Sequence, residues 1–149
     1  MSRFIVGIDP GVNGGLCIIS PSGASASPFK TAAGYLDILS VLRGEDVKAY
    51  VEELTGTVAG SPITPPSSFK LGRNVGIVEG LLMALEIPFE TVRPKVWQQG
   101  LPGIASIKVY AQRKRALHNL AQQRFPQLKP TLKTCDAILI ADYGRARNE

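Results

Sequence analysis

Three acidic residues stand at positions where a shared metal site is chemically reasonable. Asp9 directly follows the apolar run RFIVGI, and Glu52 lies near the end of the run VKAYVEE (47–53). Asp136 belongs to the otherwise apolar segment CDAILIA (135–141), where an ionised carboxylate is costly unless something compensates its charge. Carboxylates brought together repel one another, and a divalent cation is the ordinary compensation. Hard oxygen ligands favour Mg²⁺ or Mn²⁺, and such sites generally handle phosphates.

Each acid, taken alone, also has a structural explanation. Asp9 is a suitable turn-forming residue at a strand end, and Glu52 and Glu53 could be solvated strand-end charges. Asp136 could lie on the exposed side of a helix. The metal-site interpretation therefore depends on whether the fold brings the three acids together.

The elements that must position these acids alternate in a way typical of an α/β fold. We predict strands over 3–8, 15–20, 24–29, 47–53 and 88–92, and helices over 31–43, 67–86, 106–124 and 131–145, with a short helix beginning at Pro94. Ser67 or Ser68 is the expected cap of the second helix, and 54–66 is expected to be a long loop. A right-handed crossover would return strand 47–53 parallel to strand 3–8. Asp9 and Glu52 would then meet at adjacent strand ends.

Composition limits the remaining possibilities. The 149 residues suit one domain, and 17 Lys and Arg against 12 Asp and Glu give a net charge of +5, which permits a nucleic-acid partner. Glu79 interrupts the longest apolar run, so no membrane span is expected, and the first residues do not read as a signal peptide. Cys17 and Cys135 lack metal-binding spacing and are expected to be reduced core thiols. The expected location is the cytoplasm.

Several segments in order resemble the RuvC-like Holliday junction resolvases of the RNase H-like superfamily, and most of all their phage and plant-organelle branch. The segments are GIDPGVNGG (7–15), AYVEE (49–53), SSFKLGRNVGIVEGLL (67–82), RPKVW (93–97), KRALHNLAQQRFP (114–126) and CDAILIADYG (135–144). The resemblance implies one RNase H-like nuclease domain over 1–149, with a five-stranded mixed sheet in the order 3-2-1-4-5 and helices on both faces. It also implies a homodimeric, Mg²⁺-dependent endonuclease that resolves four-way DNA junctions by paired symmetric nicks, leaving 5′-phosphate and 3′-hydroxyl ends.

The resemblance assigns roles to individual residues. Asp9, Glu52 and Asp136 match the acids that hold the metal, expected to be two Mg²⁺ ions for which Mn²⁺ could substitute. Lys114 matches the lysine near the scissile phosphate, and Lys108 is the competing choice.

One departure concerns a fourth acid or a histidine, which the family usually has three to five residues before Asp136. Thr131, Leu132 and Lys133 occupy those places, and Asp142, six residues after Asp136, faces elsewhere on a helix. Either fewer ligands hold the second metal, or Lys133 acts electrostatically in place of the acid, or the activity is weak.

Residues outside the acids could contact DNA or a second copy. Basic residues that could follow the phosphates, or simply form a solvated face, are Lys70, Arg73, Lys95, Lys108, Arg113 and Arg115. Phe69 could stack on bases at the junction or act as a hydrophobic staple at a helix start. Trp97 is expected in the core or a cleft wall, with a platform on which a base stacks as the alternative. Gly72, Gly76 and Gly80 recur every four residues and would allow close approach of a helix, either from a partner or onto the sheet.

Other functions share parts of this pattern. A YqgF-like RNase has the same fold and the GIDPG motif, although the SSFKLGRNVG segment favours the junction-resolving branch. A branched-DNA-binding module that has lost catalysis also remains an alternative, because the fourth acid is missing. A complete actin-like ATPase needs two such domains, and the glycines at 7, 11, 14 and 15 do not form a dinucleotide-binding motif.

Overall fold

The fold, obtained as a computed structural model, is described for residues 3–54, 57–58 and 61–149. The strands are β1 (Phe4–Asp9), β2 (Gly15–Ser20), β3 (Gly23–Pro28), β4 (Val47–Glu52), β5 (Thr57–Val58), β6 (Ser61–Pro62) and β7 (Phe89–Val92). The helices are α1 (Ala32–Ser40), α2 (Pro65–Ala84), α3 (Pro94–Gln98), α4 (Tyr110–Arg124) and α5 (Cys135–Arg147), with a 3₁₀ turn at Pro126–Leu128. No helix within the described residues is both long and apolar enough to cross a membrane.

The main sheet has five strands in the order β3-β2-β1-β4-β7. Strands β1, β2 and β3 form an antiparallel meander, while β4 and β7 run parallel to β1. Counted within this sheet, the order is 3-2-1-4-5, so the predicted mixed-sheet fold is confirmed. The parallel pairing of β1 with β4 places the carboxyl ends of both strands at one edge of the sheet.

Alternating side chains along the central strands supply two hydrophobic cores, one on each face of the sheet. On one face, Ile5 and Tyr50 pack with α3, α4 and α5. On the other, Val6 and Val51 pack with α1 and α2. Helices therefore cover both faces, as predicted. The predicted core thiols, Cys17 and Cys135, are both buried and unbridged.

The contact between α5 and β1 is made possible by a glycine. A Cβ atom added to Gly7 would collide with the backbone of Ala137 and Ala141 in α5. Glycine at this position lets the helix backbone lie directly against the strand. Since β1 carries Asp9 and α5 carries Asp136, this close contact sets the distance between the two acids.

Several element boundaries differ from the prediction. Helix α2 begins at Pro65, and Thr64 caps it by accepting a bond from the Ser67 N–H, so the predicted serine cap is wrong. The first turn of a helix tolerates proline, because the N–H groups there have no partner within the helix. The predicted long loop 54–66 contains the short β5–β6 ladder, although Thr55, Gly56, Ala59 and Gly60 lie outside the described residues.

Two further helices begin later than their patterns suggest. Helix α4 begins at Tyr110 instead of residue 106, and α5 begins at Cys135 instead of residue 131. Before α5, the side chain of Thr134 accepts a bond from the Thr131 N–H, and the Thr131 hydroxyl accepts bonds from later N–H groups. These side-chain bonds favour a turn over a further helical turn.

Candidate metal centre

Asp9 is held at the end of β1 by the turn that follows it. Its Oδ1 accepts a hydrogen bond from the Gly11 N–H at 3.1 Å, and the Gly14 N–H closes the turn onto the Gly11 carbonyl at 3.0 Å. A Cβ atom on Gly14 would lie 2.9 Å from the Asp9 carboxyl carbon. The glycines of GIDPGVNGG therefore keep the space around this carboxylate open.

Glu52 ends β4 and points into the protein, where it is 7% exposed. Its Oε2 accepts a hydrogen bond from Trp97 Nε1 at 2.8 Å. The next residue, Glu53, points to the opposite side of the chain, and its Oε2 lies 2.8 Å from Arg93 Nε. Of the two consecutive glutamates, only Glu52 joins the acidic cluster, as the alternation along a strand requires.

Asp136 lies in the first turn of α5, where the helix dipole favours a negative charge. Its Oδ2 pairs with the Lys114 ammonium at 2.8 Å, and its Oδ1 accepts a weak bond from the Cys135 thiol at 3.5 Å. Burial, with the Asp136 charge, raises the pKa of Cys135 to about 12, so the thiol keeps its proton at neutral pH.

The three carboxylates form one cluster. Asp9, Glu52 and Asp136 each offer an oxygen atom, and these atoms all lie within 4.8 Å of one another. The structure thus brings together the three acids that the sequence singled out, from three separate elements. Their roles as ligands stay a prediction.

The electrostatics of the cluster favour a cation. Burial, reinforced by the charge of Asp136, raises the pKa of Asp9 from 3.8 to about 6, although the Gly11 N–H and Lys114 oppose the shift. Burial likewise raises the pKa of Glu52 well above its usual value, and the charges of Asp9 and Asp136 add to it. Ionising Asp9 and Glu52 together in this buried space is unfavourable without added positive charge. Three close carboxylates fit a divalent metal, since they are hard oxygen donors that neutralise it.

Lys114 supplies one positive charge at this site. Burial alone would lower the pKa of its ammonium, but the nearby negative charges, Asp136 above all, raise the pKa above its usual value. Lys114 therefore remains charged next to the cluster. Lys108 is exposed and does not line the acidic cleft, so the geometry favours Lys114 over its competitor.

The acids open into a cleft of about 700 Å³. The side chains of Tyr110, Leu132 and Lys133 also line it. Lys133 is exposed and occupies one of the places where the resemblance predicts an acid or a histidine. Asp142 is bound at 2.9 Å by Arg124 and at 2.6 Å by Arg145, which neutralise its charge away from the cluster.

A second cleft of about 1020 Å³ adjoins the acidic one, and Leu54 lines both. Its apolar floor includes Ile104 and Ile107. Four basic side chains line it: Arg93, Lys95, Lys108 and Arg113. The predicted DNA-contacting residues Lys95, Lys108 and Arg113 are therefore brought together beside the acids.

The other predicted contact residues lie elsewhere. Lys70 and Arg73 line a separate hollow between α2 and the start of α1, and Arg115 is exposed on α4. Phe69 is 72% exposed on the second turn of α2, so the alternative of a packed hydrophobic staple is wrong. Within the described part of the chain, an added Cβ atom at Gly72, Gly76 or Gly80 would meet no atom within 4 Å, so the alternative that this row packs on the sheet is wrong too.

The bond between Trp97 and Glu52 was missed by the sequence interpretation, which places Trp97 only as core or cleft wall. Its burial is as expected, at 2% exposure, but its partner lies 45 residues away. The available signal was chemical: a buried indole N–H needs an acceptor.

Comparison with known proteins supports the fold. No protein-family model matches the chain, and no curated protein sequence matches it. Solved structures do: Thermus thermophilus RuvC in complex with a Holliday junction substrate superposes with a TM-score of 0.65 and 18% identity, over 98% of this chain and 96% of that one. Another T. thermophilus RuvC structure gives a TM-score of 0.59 and 20% identity, over 97% and 96%. The chain has the RuvC fold, and the resemblance is confirmed at that level. The phage and plant-organelle branch stays a prediction.

Proposed function

We propose that this chain is a metal-dependent, structure-selective endonuclease that resolves four-way DNA junctions by paired symmetric nicks. The observation that carries the proposal is the convergence of Asp9, Glu52 and Asp136 within 4.8 Å in a RuvC fold. A fold by itself does not define an activity, whereas the chemistry of these side chains points to a metal-dependent one.

Asp9, Glu52 and Asp136 would hold the metal, which we propose to be Mg²⁺, with Mn²⁺ as a substitute and two ions per site. Bound ions of this kind activate a water and stabilise the leaving oxygen of an in-line phosphoryl displacement. The protein holds one oxygen of each acid in place: Gly11 bonds Asp9, Trp97 bonds Glu52 and Lys114 bonds Asp136. This order reduces the rearrangement that ligand binding would require.

Lys114 would act on the substrate phosphate. Its ammonium is charged, largely buried and adjacent to the acids, so it can donate to a non-bridging phosphate oxygen placed there. Such a donor stabilises the charge that develops in the transition state. The products would be 5′-phosphate and 3′-hydroxyl ends, as the resemblance implies.

The adjoining basic cleft would hold the DNA backbone on one side of the cut. Lys95 and Lys108 are exposed there, and no acid pairs with either among the described residues. Because the two clefts share Leu54, one strand could pass from the basic cleft to the acids. Lys70, Arg73 and Arg115 would contact other arms of the junction, and Phe69 would stack on unpaired bases.

A homodimer would match the symmetry of the substrate. A four-way junction offers two equivalent strands, so a C₂ pair of sites could cut both. The open glycine row on α2 offers a surface on which a second copy of this helix could lie closely. We further propose that residues 1–149 form one nuclease domain and that the enzyme acts in the cytoplasm of a bacterial or phage-infected cell.

The test is incubation of the purified protein with a labelled synthetic four-way junction and Mg²⁺, alongside the Asp9→Asn variant and a linear duplex of matched sequence. Paired symmetric nicks by the wild type alone, with the duplex uncut, would support the proposal. Cleavage of a matched RNA but not of the junction would favour the RNase alternative.

The position of Lys133 favours one further candidate, a branched-DNA-binding module with impaired catalysis. Lys133 lines the acidic cleft where relatives usually place an acid or a histidine. Tight junction binding by both wild type and Asp9→Asn, with no nick in Mg²⁺ or Mn²⁺, would support this candidate and refute the nuclease.

A further inference from the structure

Trp97 is the one tryptophan in the chain, and it lies inside the protein beside the acidic cluster. The proposed cleavage mechanism gives it no contact with DNA. It belongs to the short helix α3, where Pro94 occupies the first turn, and its ring is 2% exposed in the same core as Ile104. An indole N–H can only donate a hydrogen bond, and leaving a buried donor without an acceptor destabilises the fold. The placement of this ring therefore requires an acceptor.

The acceptor is the carboxylate of Glu52. Trp97 Nε1 donates to Glu52 Oε2 at 2.8 Å, within the buried interior. Among the described residues no other side chain donates to Glu52, so both lone pairs of Oε1 stay available to a cation. A hydrogen bond to an ionised carboxylate is stronger than one between neutral groups, and it fixes direction as well as distance.

Glu52 needs such a partner more than the other two acids do. Asp9 is a shorter side chain held by the backbone of Gly11, and Asp136 is fixed by Lys114. A glutamate has one more rotatable bond, and ordering it costs conformational entropy. A donor that already holds one oxygen removes most of that cost before any ligand binds.

We infer that Trp97 is a positioning residue for Glu52: its indole N–H fixes the carboxylate so that the second oxygen is presented to the metal. The inference rests on the proposed function only in taking Glu52 as a metal ligand. Partners of this kind behind a ligand typically contribute 10- to 100-fold in metal affinity, so the contribution of Trp97 is measurable without any DNA.

The first experiment measures Mn²⁺ affinity by calorimetry in the absence of DNA. Trp97→Phe keeps an aromatic ring in the core but removes the donor, and we expect Mn²⁺ binding to weaken by about 10- to 100-fold. Ile104→Val is the matched control, because it trims the same core without touching a carboxylate, and it should bind Mn²⁺ like the wild type. Equal affinity in wild type and Trp97→Phe would overturn the inference.

A double-mutant cycle separates positioning from general damage to the core. If Trp97 acts through the carboxylate, Trp97→Phe should weaken Mn²⁺ binding far less in a Glu52→Gln background than in the wild type. Equal losses in the two backgrounds would mean that Trp97 acts only through the stability of the core, against the inference.

A further measurement needs no change at Trp97. In ¹⁵N-labelled protein the single tryptophan gives one indole N–H resonance, which should shift on Mg²⁺ addition and move in Glu52→Gln. An indole chemical shift that is the same with and without Mg²⁺, and the same in Glu52→Gln as in the wild type, would overturn the inference. If these results hold but the junction is not cut, the positioning role stands and the proposed nuclease falls. If the junction is cut and Trp97→Phe binds Mn²⁺ normally, the proposed nuclease stands and the positioning role is wrong.

Discussion

The ammonium group of Lys114 lies 2.8 Å from Oδ2 of Asp136, a side chain 22 residues further along the sequence. Helices α4 and α5 carry the two residues and pack on the same face of the sheet. The pair joins the proposed phosphate-binding lysine to a proposed metal ligand. Lys114 is thus both part of the electrostatic balance of the acids and a candidate for contact with the substrate.

Replacing Lys114 by Met should separate these two roles. In EDTA we expect the free energy of unfolding to fall by about 2 kcal/mol, because Asp136 loses its partner in a largely buried place. With Mg²⁺ and a junction, the nicking rate should fall by about 10²–10³-fold, the usual cost of removing a donor to a transition-state oxyanion. Chemical denaturation and single-turnover cleavage measure the two effects.

Lys108→Met is the control for this prediction. Lys108 is exposed in the neighbouring cleft and pairs with no acid of the cluster. Its loss should weaken junction binding, more so at low salt, while leaving the rate at saturating protein nearly unchanged. A larger loss of rate in Lys108→Met than in Lys114→Met would reverse the assignment of the catalytic lysine.

The stability of the protein without metal should fall as the pH rises. Burial raises the pKa of Asp9 from 3.8 to about 6, so the folded state binds this proton more tightly than the unfolded chain does. That contribution to stability is fully present below about pH 4 and is lost as the pH rises through 6. A shift of this size corresponds to at most about 3 kcal/mol. Thermal unfolding in EDTA between pH 4 and 8 measures it.

Two comparisons test the contribution of Asp9 to this pH dependence, to which Glu52, whose pKa burial also raises, contributes in the same direction. Asp9→Asn cannot titrate, so its stability should vary less over the same range. Added Mg²⁺ binds the ionised form, so its stabilising effect should grow as the pH rises through 6. A protein whose stability in EDTA rises steadily from pH 4 to 8 would contradict the assignment.

The local features of the fold could be predicted from the sequence more fully than the long-range contacts. The alternation and turns predicted the five main strands, and the family resemblance supplied their order. The acids at the ends of β1 and β4 met as the crossover rule requires. The start of α2 was misplaced because Pro65 and Pro66 resemble loop residues, although a first helical turn accepts them. The bond from Trp97 to Glu52 depends on tertiary packing, which no periodicity within the chain reports.

Gly7→Ala should weaken the metal site from a distance. The added methyl group would collide with the backbone of α5 at Ala137 and Ala141, which lie directly against β1. Moving α5 away should cost about 1–3 kcal/mol of stability and carry Asp136 away from Asp9. We expect lower Mn²⁺ affinity even where the variant is fully folded, as calorimetry well below the unfolding temperature can measure.

Gly100→Ala is the matched control, because its added methyl group meets no atom of the described residues within 4 Å. It should change neither stability nor Mn²⁺ affinity appreciably. If Gly7→Ala is destabilised but binds Mn²⁺ as tightly as the control, the spacing of β1 and α5 does not set the geometry of the acids.

Phe69→Ala should affect DNA and leave the fold intact. The ring is 72% exposed, so its removal should change the free energy of unfolding by less than about 0.5 kcal/mol. If the ring stacks on an unpaired base, junction affinity should fall by about 10-fold, since such a contact contributes about 1–3 kcal/mol. Val41 is an equally exposed apolar residue directly after α1, so Val41→Ala is the control and should bind junctions normally. Normal junction binding by Phe69→Ala would remove Phe69 from the interface.

Gly76→Leu tests the proposed dimer surface. The position is open to solvent within the fold, so the new side chain should raise the stability of the monomer by up to about 1 kcal/mol through better helix propensity. In a dimer that packs through the glycine row, the same side chain would hold the two helices apart. Sedimentation should then show a dimeric wild type and a monomeric variant, and the variant should nick one strand of the junction without the second, symmetric nick. Gly100→Leu, also at an open glycine, should remain dimeric. A dimeric Gly76→Leu protein that still makes paired nicks would place the dimer contact on another face of the molecule.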